Sequence, residues 1–137
     1  MQVSRNAYGL YLDLPGSVAA WRPRAEAALK AEGFGILTEI DVAATLRAKL
    51  GHEVPPQLIL GACNPPLASA AMGAEPDIGL LLPCNLTLRE VAGGATRVGV
   101  MDIAGMMGMI GNPQLAPIAA QVSERLGRVL AALGAEA

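Results

Sequence analysis

The stretch "NLTLREVAGGATRVGVMD" (residues 85–102) decides the fold. Two runs rich in aliphatic and β-branched residues, 85–92 and 95–102, flank Gly93-Gly94. A glycine pair between two such runs is a hairpin signal, so both runs read as strands of one antiparallel pair. Upstream, "YGLYLDL" (8–14), "FGILTEI" (34–40), "QLILGA" (57–62) and "DIGLLL" (77–82) also read as strands. Pro83 interrupts the last of these, and a proline in a sheet implies an edge, a bulge or a strand end.

The remaining segments carry helix punctuation. Ser17 is a cap for "VAAWRPRAEAALKAEG", which Gly33 stops. Pro23 either kinks that helix or lies near the start of its regular part. Asp41 caps "VAATLRAKLG", where Val42, Leu46 and Leu50 form one apolar stripe. Asn64-Pro65 is a cap followed by proline at the first helical position, opening a short helix to about Met72. Asn112-Pro113 repeats this grammar after a Gly/Met loop. In the last helix, 113–134, Leu115, Ile118, Val122, Leu126, Val129 and Leu133 keep helical spacing, while Glu124, Arg125 and Arg128 face the other way. That stripe must pack on a sheet or another helix.

Helices do not alternate strictly with strands, and the late strands are tightly connected. The expected fold is therefore α+β: a mainly antiparallel sheet of about five to six strands, a long C-terminal helix packed on it, and short inserted helices. The 137 residues suit one domain, 1–137. Apolar residues make up 53% and charged residues 16%, which excludes a disordered chain. The net charge is -2 and no Lys/Arg stripe occurs, so nucleic acid and an acidic membrane surface are not expected partners. The N-terminal stretch lacks the apolar core of a signal peptide, and "VGVMDIAGMMGMIG" is too short and broken to span a bilayer. The expected location is the cytoplasm, where thiols stay reduced.

Chemistry has few places to sit. Cys63 and Cys84 are the only cysteines, and each lies in an apolar run ending in Cys-Asn beside prolines. Cys63 precedes a helix start, whose amides and dipole favour a thiolate. Cys84 has no such local reason. Both also suit a packed core, since free cysteine is a small apolar residue. A metal site from Cys63, Cys84 and the single histidine, His52, would lack a fourth strong protein ligand. "GMMGM" (105–109) suits core filling or a flexible apolar lip better than a thioether copper site. Glu39 and Asp41 in "TEID" are acid-base candidates, although Asp41 already has a capping role. One histidine and no Gly-x-Ser-x-Gly leave no ordinary Ser-His-Asp hydrolase, and neither phosphate-loop nor dinucleotide spacing occurs.

Taken together, "GFGILTEIDV", "LILGACNPPLA", "EPDIGLLLPCN" and "GNPQLAPIA" resemble a prokaryotic family, domain of unknown function 302 (DUF302), from about Tyr8 to Leu133. The matching positions are Gly61, Ala62, Cys63, Asn64, Pro65 and Pro66, then Leu82, Pro83, Cys84 and Asn85, with Glu39 and Asp41 in the "TEID" segment. Pro23 and the doubled methionine in "MMGM" depart from the pattern. The resemblance implies a β-α-β4-α arrangement similar to the TATA-binding-protein fold, and a homodimer. It implies no settled activity and no cofactor.

The leading expectation is a small cytoplasmic homodimer that binds a small ligand or thiol-linked partner near Cys63 and Cys84. Cys63 would supply a thiolate for sulfur transfer, redox exchange or coordination. Asn64 and nearby amides would stabilise it, Cys84 would resolve or co-ligate, and Asn85 belongs to the same signature. The alternative is a non-catalytic homodimeric binding or assembly module with structural cysteines. Its ligand would lie in an apolar pocket between the sheet and helix 113–134. A third is a carboxylate enzyme using Glu39 and Asp41. Nothing in the residues assigns a reaction.

Overall fold

The computed structural model describes residues 2–137. The strands are β1 Ser4–Arg5, β2 Gly9–Leu14, β3 Gly35–Asp41, β4 Gln57–Cys63, β5 Cys84–Val91 and β6 Ala95–Met101. They form one sheet in the order β1-β2-β6-β5-β4-β3, with every neighbouring pair antiparallel. The helices are α1 Val18–Ala31, α2 Val42–Leu50, α3 Pro65–Ala74, α4 Ile103–Ile110 and α5 Ala116–Ala135. This is the α+β architecture expected from the sequence, with the long C-terminal helix and several short ones.

The β5–β6 hairpin closes where the sequence places it, with Val91 paired to Ala95. Gly93 and Gly94 both have positive φ, +80° and +73°, which only glycine adopts without strain. Strand alternation then sorts the faces. Leu12, Leu14, Leu60, Leu86, Leu88 and Val98 are buried on one face. Trp21, Ala25 and Leu29 of α1 and Val122, Leu126 and Val129 of α5 pack on them at helical spacing. The other face carries Tyr11, Asp13, Thr87, Arg89 and Arg97, with Asp13 and Arg97 ion-paired at 2.7 Å.

The caps operate as the sequence indicates. Ser17 accepts from the Ala20 amide at 3.1 Å, and Asp41 from the Ala44 amide at 2.9 Å. Asn112 accepts from the Gln114 amide and donates to the Ala74 carbonyl at 2.9 Å, tying the end of α3 to the approach of α5. α1 continues through Pro23 rather than starting there. Its first turn is held by Trp21, whose indole donates to the Pro15 carbonyl at 2.6 Å beneath the Arg24 guanidinium.

Three local readings are corrected. "DIGLLL" is not a strand but part of a 3-10 helix, Pro76–Leu81. Ile78 turns inward while Leu80 stands 90% exposed. A short, mostly apolar run has no period that separates strand from helix. The Gly/Met stretch is not a loop but α4, capped by Asp102 on the Gly105 amide and ended by Gly111 at φ +72°. Two internal glycines each lower helix propensity by about 1 kcal/mol, and burial of Ile103 with partial burial of Met106 and Met107 offsets this. In α2 the inward residue is Ala43, and Leu50 is 63% exposed instead of completing a buried stripe.

Candidate functional site

A cavity of about 310 Å³ opens at the end of the sheet where β4 finishes and β5 begins. Its floor is Phe34, Ala62 and Cys84, and its walls come from α3 (Leu67, Ala71), α4 (Ile103, Met106) and α5 (Ala119, Val122). Asn64 and the two thiols are its polar side chains. The two cysteines therefore border one cavity, although neither forms a disulfide.

The strand register fixes how they border it. Ala62 pairs with Cys84 across β4 and β5, and Gly61 pairs with Asn85. Directly opposed residues point to the same face, and successive residues alternate. Cys84 thus shares the buried face with Ala62, while Cys63 belongs to the other face at the cavity rim. Adjacent backbones with Cβ vectors on opposite faces do not suit a disulfide. Burial pushes the Cys84 thiol up to about 11, and the charge of a Cys63 thiolate adds to the shift. Cys84 is held protonated at neutral pH, which weakens it as a resolving thiolate or metal ligand.

Asn64 is buried and fixes the transition from β4 to α3. Its Oδ1 accepts from the Leu67 amide at 3.3 Å, and its Nδ2 donates to the Glu32 carbonyl at 3.5 Å. That carbonyl also accepts from Arg125 at 2.9 Å, so the end of α1, the start of α3 and α5 meet at one oxygen. Gly33, at φ +85°, makes room: a Cβ there would lie 2.9 Å from Asn64 Nδ2.

The other candidates lie elsewhere. Asn85 is exposed on the opposite sheet face, beside a second hollow. Glu39 pairs across the sheet with Leu60, three residues from Cys63, or about 10 Å along the strand. It is bound by Arg22 at 2.7 Å, and Arg22 also holds Glu26. Asp41 caps α2. Both carboxylates are thus engaged in structural contacts at the surface, so they do not form an acid-base pair in the cavity. His52 lies in the loop before β4, and Cys63 ends that strand, about 20 Å from its first residue. Cys63, Cys84 and His52 do not converge, and among the described residues no three His, Cys, Asp or Glu side chains form a metal-sized group.

A family model for the domain of unknown function DUF302 matches residues 11–133. The chain belongs to the DUF302 family. Among solved structures it is similar to an uncharacterised conserved DUF302 protein from Bacillus stearothermophilus. The two are 31% identical, the match covers 91% of this chain and 97% of that one, and the TM-score is 0.84. No curated protein matches it.

In this DUF302 domain the cavity depends on residues that carry no chemical signature. Met106, Met107 and Ile103 reach it because α4 folds back over the sheet end, and reading that segment as a loop hides them. The signal for them is the "GMMGM" run itself, whose reading as core filling fits Met106 and Met107, both partly buried against the core. Leu67, Ala71 and Ala119 are small or aliphatic helix residues that only the assembled fold distinguishes. No helix among the described residues is long and apolar enough to cross a membrane.

Proposed function

We propose that this protein binds a small, largely apolar molecule in the cavity between the sheet end and helices α3, α4 and α5. The observation that supports this is the cavity's chemistry: apolar walls, a volume of about 310 Å³, and one amide and two thiols as polar groups. Concave apolar pockets with a few convergent polar groups are where small molecules bind. In this reading the thiols are wall groups that pack against the ligand and act as weak S–H donors. A two-thiol exchange reaction is less favoured, because the register separates the cysteines by face and Cys84 is held neutral.

The test is titration with an uncharged apolar fluorophore such as N-phenyl-1-naphthylamine. Ala119→Phe fills the cavity from α5 and should weaken binding by at least about tenfold. Ala71→Leu does so from α3 and guards against a folding defect in the first variant. Cys63→Ser should leave affinity within about threefold. Loss of binding with Cys63→Ser, or indifference to both filling variants, would reject the reading.

A second copy of the chain is the proposed protein partner. β3 is a sheet edge of seven residues, and its Leu37 and Ile40 are exposed. An unpaired apolar edge is a template for association. Ile40→Lys should convert a dimer to a monomer in sedimentation velocity, and a native monomer would reject this part. Cytoplasmic residence belongs to the same proposal, and two unbridged thiols suit a reducing compartment.

A further inference from the structure

Sulfur is concentrated around the cavity at the sheet end. Both cysteines line it, and so do Met72, Met106 and Met107, three of the chain's six methionines. Met72 comes from α3 and the other two from α4, so thioethers reach the space from two walls. Met72 is 46% exposed, while Met106 and Met107 are partly buried against the core. Leucine would fill these positions with about half the rotamer-entropy cost of methionine. Methionine at all three therefore points to a property of the thioether beyond its bulk. That property is polarisability: a thioether sulfur makes favourable contacts with aromatic rings, often near the ring edge.

Hydrogen bonding offers little alternative for recognition. Asn64 already uses both ends of its amide, on the Leu67 amide and the Glu32 carbonyl. Apart from the thiols, the other lining side chains are apolar. Phe34 is the one ring in the wall, and aromatic pairs gain from offset or edge-to-face packing. Size sets a further limit. A cavity of about 150 Å³ accepts one benzene ring. This one, at about 310 Å³, has room for two fused rings.

We infer that the ligand is a planar aromatic molecule of roughly two fused rings, held between the thioethers of α3 and α4 and the Phe34 ring. This rests on the reading of the cavity as a binding site and names the class of molecule it takes. Each sulfur–ring contact changes affinity by a factor of about two to twelve. A saturated molecule of the same skeleton keeps its apolar area and loses those contacts.

The experiment uses the full chain and two neutral probes, 2-naphthol and decahydro-2-naphthol. They share a skeleton and a hydroxyl and differ in aromaticity. Each is used to displace N-phenyl-1-naphthylamine at neutral pH. 2-Naphthol should bind about tenfold tighter than its saturated counterpart. The double variant Met106→Leu, Met107→Leu keeps the volume and should cut that preference to about threefold or less. Its affinity for decahydro-2-naphthol should stay within about twofold of native. Met72→Leu, on the other wall, should also lower the preference, and it guards against a folding defect in the double variant. Met109→Leu, 87% exposed and outside this cavity, should change nothing. Equal affinity for the two probes, or a preference that both sets of cavity substitutions leave unmoved, overturns the aromatic assignment while the binding cavity stands. Failure of N-phenyl-1-naphthylamine to bind overturns both proposals.

Discussion

Raising the pH from about 8 to about 12 should destabilise the folded chain through Cys84. The unfolded thiol titrates at 9.0, and burial, with the charge of Cys63 as the smaller cause, holds the native thiol up to about 11. The folded state therefore grips this proton more tightly than the unfolded state. The stabilisation is fully present below 9.0, falls as the pH rises through that window, and is gone above about 11. A shift of that size corresponds to about 2–3 kcal/mol. The assay is urea unfolding at stepped pH, under reductant, for the native chain and Cys84→Ala. All other groups are common to both chains, so their contributions cancel in the difference. The stability gap between the two chains should change by about 2–3 kcal/mol across the window, in favour of the variant as pH rises. Cys63→Ala should keep most of the native slope, since burial is the larger cause. Parallel profiles for the native chain and Cys84→Ala would refute the reasoning, and so would alkylation of Cys84 at neutral pH as fast as a free cysteine.

Three further outcomes are expected. Asn64→Ala removes a helix cap and a tie between α1 and α3, costing about 1–2 kcal/mol; Asn64→Asp keeps the cap and loses less, and thermal melts compare the two. Gly61→Ala puts a Cβ against Thr38 Oγ1 and 2.8 Å from Pro83 Cγ, costing about 1–3 kcal/mol in urea unfolding. Gly35→Ala is its control on the paired strand, because a Cβ there meets nothing. Glu39→Gln breaks a surface ion pair with Arg22, so its cost should stay below about 1 kcal/mol, and ligand binding should be unchanged.

Local punctuation made most of the fold legible. Gly93-Gly94 announced the hairpin, and Asp41, Asn64 and Asn112 announced three helix or 3-10 starts, because each cap satisfies amides within three residues. Legibility failed where tertiary burial overrode local preference. α4 contains Gly105 and Gly108 yet is helical, since its cap and the burial of Ile103 outweigh their propensity. "DIGLLL" is apolar at every position except Asp77 and Gly79, so no period marks its 3-10 turn. The candidate site divides the same way. Cys63, Asn64 and Cys84 were visible as a signature, and all three border the cavity. The helix residues that give the cavity its volume were not visible, because Ala71 and Ala119 matter only for what they fail to fill.

The repeated Cys-Asn dipeptide is instructive because repetition suggests a symmetric pair, and the register of β4 on β5 prevents one. On two strands running in opposite directions, the order Cys-Asn on one meets Asn-Cys on the other. With Ala62 opposite Cys84 and Gly61 opposite Asn85, Cys63 is offset by one residue from Cys84. A one-residue offset sends the two side chains to opposite faces. Each copy then takes its own role at its own strand end: Cys63-Asn64 turns β4 into a capped helix, and Cys84-Asn85 starts β5. The buried thiol becomes part of an apolar floor, and Asn85 becomes a free amide on the far face. One echo in the sequence thus places a largely buried thiol on one face of the sheet and an exposed amide on the other.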